Sequence, residues 1–174
     1  DRWIKDYYYF HGIQSLVVGV SGGIDSAVVS TLCAKTGLPT YVVRMPLESS
    51  HQNTKLSDLH AQQLAEKYDN VTNVQIELSS VYDSLLHSIK WWSEAQHFDK
   101  KEFTSDELAN ANTKSRIRMV TLYQIAGAKK GIVVGTGNKV EDYGIGFYTK
   151  YGDGGVDIAP IADLYKTEVR ELGG

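Results

Sequence analysis

Short apolar runs alternate with longer segments of helical periodicity, and this alternation is the feature that most restricts how the chain can fold. The predicted strands are SLVVGV (15–20), TYVVRMP (40–46), NVQIEL (73–78), IVVG (132–135) and, as a strand or extended segment, VDIAPI (156–161). The predicted helices are 25–37, 54–68, 79–92, 115–131 and one that begins at 166, and the polar stretch 93–107 predicts a mobile loop. This order predicts an α/β fold: a doubly wound, mostly parallel five-stranded sheet with helices on both faces.

The predicted sheet also indicates where a functional site would lie. In open α/β sheets, ligands bind beyond the carboxyl ends of the strands, at the point where the strand order reverses. We therefore expect the site to be built from the segments that follow Val20, Arg44, Gly135 and Ile161.

Length, charge and cysteine content exclude several classes of protein. The 174 residues, 42% of them hydrophobic, predict one globular domain with its own core. The net charge of −3 argues against a general electrostatic attraction to nucleic acid or to an anionic membrane, and neither partner is expected. No run approaches the ~20 apolar residues that cross a bilayer, and no signal peptide is recognisable. The single cysteine, Cys33, is interpreted as a buried structural thiol, which agrees with a cytoplasmic location.

The segment SGGIDS (21–26) connects the first predicted strand to the first predicted helix. Its glycines allow backbone N–H groups to face an anion at a helix N-terminus, and the hydroxyls of Ser21 and Ser26 add donors. It lacks the lysine of a Walker A loop and the glycine spacing of a dinucleotide fingerprint. Asp25 would repel phosphate unless a cation lay between them, so the loop predicts bound Mg²⁺. The alternative is an ordinary tight turn with Asp25 as the N-cap of the helix.

A second group of charged residues lies in the stretch GTGNKVEDYGIGFYTKYGDGGVDIAPIADLYKTEV (135–169). Glu141 follows the fourth predicted strand, so its carboxylate would meet that of Asp25 at the switch point; on spacing alone, a solvated helix face is as good an interpretation. TKYGDGG (149–155) predicts a shaped loop that binds a ligand, or an ordinary hairpin turn. Lys166 would place a cation near polyphosphate, although an isolated lysine is more often a surface residue.

These segments resemble known families. SGGIDS resembles the pyrophosphate loop of the N-type ATP pyrophosphatases, which cleave ATP between its α- and β-phosphates and have an adenine-nucleotide α-hydrolase-like fold. Residues 135–169 resemble the pattern GTGNK.E…GF.TKYGDGG.D..P…L.KTEV of the NAD synthetase family. NTKSRIRM (112–119) resembles that family's segment N..AR.RM. The resemblance covers about residues 13–173.

The resemblance implies roles for individual residues. Asp25 and Glu141 would bind Mg²⁺ and, with Lys166, carry catalysis. The residues implied to contact ATP are Ser21, Gly22, Gly23, Asp25, Ser26, Arg44, Thr136 and Lys166, with Arg44 and Thr136 near its nucleoside part. The residues implied to line a site for nicotinic acid adenine dinucleotide are Asn112, Arg116, Tyr123, Phe147, Lys150, Asp153 and Asp157. The chain reads GTGN where many relatives have an aspartate after the threonine, so the resemblance assigns no contacts to Gly137 and Asn138.

The implied reaction is the adenylation of nicotinic acid adenine dinucleotide by ATP, with release of pyrophosphate, and then amidation by ammonia to give NAD⁺ and AMP. The family is usually homodimeric, and it continues past the final ELGG. The resemblance therefore implies that 1–174 is a single synthetase domain lacking its C-terminal segment, and that glutamine would supply the nitrogen if the chain were part of a longer one. The alternatives are another N-type ATP pyrophosphatase, such as a tRNA-modifying enzyme, and a non-catalytic ATP-binding module.

Overall fold

Four short parallel strands form the sheet in the computed structural model, which describes residues 1–47, 51–99 and 101–173, apart from the side chains of 51–54. The strands are β1 (Ser15–Val20), β2 (Thr40–Arg44), β3 (Val71–Gln75) and β4 (Gly131–Val134), in the order β3-β2-β1-β4. Both β2 and β4 are parallel to β1, so the strand order reverses at β1. The carboxyl ends of β1 and β4 therefore open side by side, which is the expected position of a ligand site.

Helices cover both faces of this sheet. They are α1 (Arg2–His11), α2 (Ile24–Lys35), α3 (His51–Lys67), α4 (Ser79–Ala95), α5 (Glu107–Ala128) and α6 (Lys166–Gly173). Alternate residues of β1 face opposite sides: Val18 packs in a cluster with residues of α1, α2, α3 and α6, and Val17 packs in a second cluster with residues of α4 and α5. The predicted α/β class with helices on both faces is confirmed, and the sheet is entirely parallel.

The prediction of a fifth strand over 156–161 is wrong. The segment touches the sheet at a single parallel bridge between Ile158 and Val134. The N–H of Val133 donates to the side-chain carboxylate of Asp157 at 2.8 Å, in the place where a fifth strand would offer a backbone carbonyl. Pro160 follows two residues after the bridge and has no N–H with which to extend a ladder. The strand is therefore replaced by one bridge, three backbone hydrogen bonds around it and the side-chain hydrogen bond of Asp157.

Several boundaries also differ from the sequence-based ones. α1 was not predicted; it ends at Gly12, whose φ of 64° is the left-handed conformation in which helices commonly stop. α5 begins at Glu107 because the side chain of Asp106 caps it, accepting from the N–H of Ala109 at 2.6 Å. α4 extends to Ala95, so the loop predicted over 93–107 is shorter at both ends. In the described part of the chain, no helix has the length and apolar character needed to cross a membrane.

Candidate functional site

The loop between β1 and α2 is held in shape by its own two serines. Ser26 is buried; its Oγ donates to the carbonyl of Gly23 at 2.9 Å and accepts from the N–H of Ser21 at 3.2 Å. Gly22 has φ 86°, a conformation that a residue with a Cβ adopts only under strain. Gly23 is the N-cap of α2, so the alternative interpretation of Asp25 as the N-cap is wrong. The loop is a preformed turn that presents the helix N-terminus to the sheet's carboxyl edge.

Asp25 and Glu141 both contact the ammonium group of Lys166. Asp25 lies in the first turn of α2, and Glu141 lies in a π-helical turn, Val140–Ile145, beyond β4. The Nζ of Lys166, the first residue of α6, donates to Oδ2 of Asp25 and lies 3.4 Å from Oε1 of Glu141. The two carboxylates that the sequence suggested would meet at the switch point therefore converge on one point, and in the structure that point is occupied by a lysine.

The ionisation of Lys166 follows from this arrangement. Partial burial on its own would lower the pKa of the ammonium group. The hydrogen bonds to Asp25 and Glu141, together with their negative charges, outweigh burial and raise the pKa of Lys166 above its usual value. The group is therefore a permanent cation at neutral pH, held between two anions.

Asn138 ties the two carboxylate-bearing elements together, and the sequence had not assigned it a role. Its side chain is 0% exposed. The amide Nδ2 donates to Oδ1 of Asp25 at 3.0 Å, and Oδ1 accepts from the N–H groups of Val140 and Glu141 at 3.0 and 3.2 Å. One amide thus fixes the Asp25 side chain and the start of the turn that carries Glu141. The available signal was an asparagine placed as a cap just before a helical turn.

This donor set fits a magnesium ion of the type that binds phosphates. Mg²⁺ usually takes only one or two carboxylates from the protein and completes its octahedron with water and substrate phosphate oxygens. Asp25 and Glu141 provide two carboxylates that converge on one cation position. Among the described residues there is no group of three or more His, Cys, Asp or Glu that would form an all-protein metal cage.

A cavity of about 480 Å³ opens beside this cluster, at the carboxyl ends of β1, β2 and β4. Four of the residues singled out in the sequence line it: Ser21, Arg44, Thr136 and Asp153. The side chain of Arg44 is held at the cavity wall, because Nε donates to Asn73 at 3.0 Å and Nη1 donates to Gln75 at 2.9 Å and to Asp58. The cavity has the volume range of a small-molecule site and lies where parallel sheets bind ligands.

The loop 149–155 is fastened to α5 by three pairs of hydrogen-bonded residues. The hydroxyl of Thr149 donates to Asn112 at 2.8 Å, and Nε of Arg116 donates to the carbonyl of Lys150 at 3.2 Å. The Oγ of Ser115 donates to Oδ1 of Asp153 at 2.8 Å and accepts from its N–H at 2.9 Å. A Cβ at Gly152 would collide with Ser115 Oγ, so glycine is required for this close approach.

The remaining predicted residues lie in different surroundings, some hydrogen-bonded and some exposed to solvent. Tyr123 donates from its hydroxyl to Asp157 at 3.1 Å, and burial together with that carboxylate raises the pKa of Tyr123 to about 12. Phe147 is 79% exposed, and Lys150 is exposed with its ammonium group over the ring of Tyr151. Of the residues predicted to line the dinucleotide site, only Asp153 lines the cavity, and Asp25, Glu141 and Lys166 lie outside its lining. The structure therefore does not bring the whole predicted set together.

The chemistry available to the site is electrostatic rather than nucleophilic. A helix N-terminus, a lysine and two carboxylates suited to Mg²⁺ surround the loop between β1 and α2, residues 21–23, which we call the β1 loop. Cys33 is fully buried, and burial raises the pKa of its thiol to about 12, so it cannot serve as a nucleophile here. Such a site suits the transfer of a phosphoryl-type group, in which positioning and charge stabilisation provide most of the catalysis.

Comparison with known proteins gives a consistent result. The family model described as NAD synthase matches residues 1–174. A curated relative from Saccharolobus solfataricus, named NH(3)-dependent NAD(+) synthetase, is 40% identical over 98% of this chain and 55% of its own length. The structure of NMN synthetase from Francisella tularensis matches with a TM-score of 0.84 and 34% identity, over 99% of this chain and 65% of that one.

A third match is a glutamine-dependent NAD+ synthetase from Acinetobacter baumannii in complex with ADP, with a TM-score of 0.81 and 26% identity over 97% of this chain. This chain covers 30% of that protein. The chain thus spans about half to two-thirds of the length of the first two relatives and a smaller part of the third.

Proposed function

The chain belongs to the NAD synthase family, and from this membership we propose that it is the synthetase domain of an ammonia-dependent NAD⁺ synthetase, a ligase that forms a carbon–nitrogen bond. The observation that carries the proposal is the convergence of Asp25 and Glu141 on one cation position beside the β1 loop. That arrangement is suited to holding the pyrophosphate part of ATP while the bond to AMP breaks.

In the proposed reaction, a carboxylate oxygen of nicotinic acid adenine dinucleotide attacks the α-phosphorus of ATP. The bond from that phosphorus to the bridging oxygen breaks, and pyrophosphate leaves with its electron pair. Ammonia then attacks the acyl carbon of the adenylate, the carbon–oxygen bond to AMP breaks, and one proton of the nitrogen is released. When bound, Mg²⁺ would neutralise charge on the phosphate oxygens.

The proposed residue roles are those that the family resemblance implies. The proposed ATP contacts are Ser21, Gly22, Gly23, Asp25, Ser26, Arg44, Thr136 and Lys166. The proposed contacts to the dinucleotide are Asn112, Arg116, Tyr123, Phe147, Lys150, Asp153 and Asp157. The β1 loop would orient pyrophosphate as the leaving group, and Lys166 would offset its charge. We also propose a homodimer in the cytoplasm, as the family resemblance implies.

Nicotinic acid mononucleotide is a second candidate substrate, because the Francisella tularensis relative is named an NMN synthetase. The same amidation chemistry applied to nicotinic acid mononucleotide would give that product. We favour the dinucleotide because the family model and the Saccharolobus relative both carry the name of an NAD synthetase.

The test is an assay of pyrophosphate release and product formation with ATP, Mg²⁺ and ammonia, supplying either the dinucleotide or the mononucleotide. We expect NAD⁺ from the dinucleotide, and ammonia to support more turnover than glutamine. Higher turnover with the mononucleotide than with the dinucleotide would identify the mononucleotide as the substrate. If neither the dinucleotide nor the mononucleotide were turned over and tRNA were, the synthetase assignment would be rejected.

Asp25→Asn and Glu141→Gln provide the residue-level test. Each removes one charge from the cation position, so kcat should fall by more than about 100-fold while KM for ATP changes by less than about tenfold. Asp163→Asn, an equal change at an exposed carboxylate, should retain full activity. Equal losses in kcat and in ATP affinity would mean that the pair only binds ground-state nucleotide.

A further inference from the structure

Lys166 has a second role that the proposed reaction does not require. We propose that it is a resident counter-cation of the Asp25–Glu141 pair, and that this makes divalent-metal binding depend on the arrival of a polyphosphate. The inference rests on the proposed function in one respect only: the polyphosphate is taken to be that of ATP.

The first argument is that one position cannot hold two cations. The ammonium nitrogen of Lys166 contacts Oδ2 of Asp25 and lies 3.4 Å from Oε1 of Glu141. A divalent ion coordinated by both carboxylates would need the same space, and at separations of about 4 Å two cations repel each other strongly even in a partly solvated site. Metal binding and the lysine contact therefore exclude each other.

The second argument concerns which partner moves. The Asp25 carboxylate is held by the amide of Asn138 at 3.0 Å, and the same amide holds the backbone that leads to Glu141. The Lys166 side chain is 33% exposed and is joined to α6 by a flexible four-carbon stem. The Asp25 carboxylate thus stays in place, Glu141 is anchored through its backbone with its side chain 39% exposed, and the ammonium group is the part that can leave the Asp25 carboxylate.

The third argument concerns the new partners that a bound polyphosphate would provide for the ammonium group of Lys166. Phosphate oxygens bound at the β1 loop would offer Lys166 new anionic partners close to its present ones, and at the same time would add ligands for the metal. Metal and polyphosphate should then bind with positive coupling, and the coupling must be reciprocal. In the free protein, the lysine keeps the pair neutralised and the metal affinity low.

The experiment measures Mn²⁺ binding by electron paramagnetic resonance without nucleotide, in the parent protein, Lys166→Gln and Lys139→Gln. The control removes the same charge nearby, since Lys139 lies over the ring of Tyr165 at 4.6 Å. We expect Lys166→Gln to tighten Mn²⁺ binding at least about tenfold, and Lys139→Gln to change it less than about threefold. An unchanged or weaker Mn²⁺ affinity in Lys166→Gln would overturn the proposal, as would equal gains in both variants.

Three further measurements keep the result independent of folding and of the reaction. Lys166→Arg keeps the charge, so it should show no gain, and adding Glu141→Gln to Lys166→Gln should abolish the gain. Addition of inorganic pyrophosphate should tighten Mn²⁺ binding in the parent by a larger factor than in Lys166→Gln, and equal factors would contradict the exchange. Because none of these measurements uses turnover, a protein that showed the Mn²⁺ effects but formed no NAD⁺ would reject the proposed function alone.

Discussion

At the scale of single residues, Asn138 is the buried polar group that joins Asp25 to the turn carrying Glu141. It donates to Asp25 and accepts from two backbone N–H groups while fully buried. Asn138→Asp keeps the acceptor but removes the donor, and it places a second carboxyl against Asp25. Burial and the like charge would raise the pKa of the introduced carboxyl in the folded state above its unfolded value.

The sign of the pH effect follows from that shift. A group whose folded pKa is raised contributes its full stability below the unfolded pKa, near 4, and loses it as the pH rises through the folded pKa. Relative to the parent, Asn138→Asp should therefore lose little stability near pH 4 and about 1–3 kcal/mol more near pH 7. Urea unfolding at several pH values measures this difference.

A swap of the two side chains is the control. In the double variant Asn138→Asp with Asp25→Asn, the introduced amide can donate to the introduced carboxylate, so the pH-dependent loss should largely disappear. If the loss were the same with and without Asp25→Asn, repulsion at this contact would not be its cause.

At the scale of elements, the attachment of loop 149–155 to α5 depends on Ser115, which stands where the family pattern N..AR.RM has alanine. Ser115→Ala removes both hydrogen bonds to Asp153 and leaves the helix intact. Two such bonds near the surface are worth about 1–2 kcal/mol together, so we expect KM for the dinucleotide to rise about 5- to 30-fold with kcat nearly unchanged.

Amide hydrogen exchange measures the loop directly. In Ser115→Ala, exchange should accelerate in 149–155 and stay unchanged in the strands. The matched control is Thr113→Ala on the same helix, because that hydroxyl donates within α5, to the carbonyl of Ala109 at 2.9 Å. Equal acceleration in both variants would mean that the helix, rather than the Ser115 contact, had been disturbed.

The elements themselves show what sequence patterns can and cannot predict. Four strands were predictable because each is a short, β-branched run with turn residues beside it. The fifth was not, because its place beside β4 is decided by the Asp157 carboxylate, which takes the N–H of Val133. The early start of α5 depends on a cap at Asp106 in a stretch without clear periodicity.

At the scale of the whole molecule, the site is assembled from distant parts of the chain. Asp25 and Lys166 are 141 residues apart, and Asp25 and Asn138 are 113 apart. Their residue types and the parallel topology indicated that charged groups would gather at the switch point. Which of them would touch could not be predicted, because a lysine between two carboxylates and a lysine beside them have the same sequence pattern.

Cys33 lets the stability of the whole fold be measured without a reporter group. It lies on α2 in the core cluster beneath the sheet, is 0% exposed, and has its pKa raised to about 12 by burial. A thiol reagent should therefore react only after the core opens. We expect native labelling to be slower than labelling in denaturant by at least about 1,000-fold, with a urea dependence equal to the global m-value. The exposed thiol of a Cys33→Ala, Ser88→Cys variant should react at once, whatever the urea concentration.

The same thiol couples global stability to the proposed site, since a ligand that binds only the folded state slows opening by the factor 1 + [L]/Kd. Mg²⁺ with ATP should therefore slow Cys33 labelling in proportion to nucleotide concentration. The slowing should weaken by less than about tenfold in Asp25→Asn, which opens the same core but lacks a carboxylate that acts mainly in the transition state. If nucleotide protection were lost altogether in Asp25→Asn, that carboxylate would be required for ground-state binding. If labelling were insensitive to urea, Cys33 would become accessible through local fluctuation of α2, and the fold would not open as one cooperative unit.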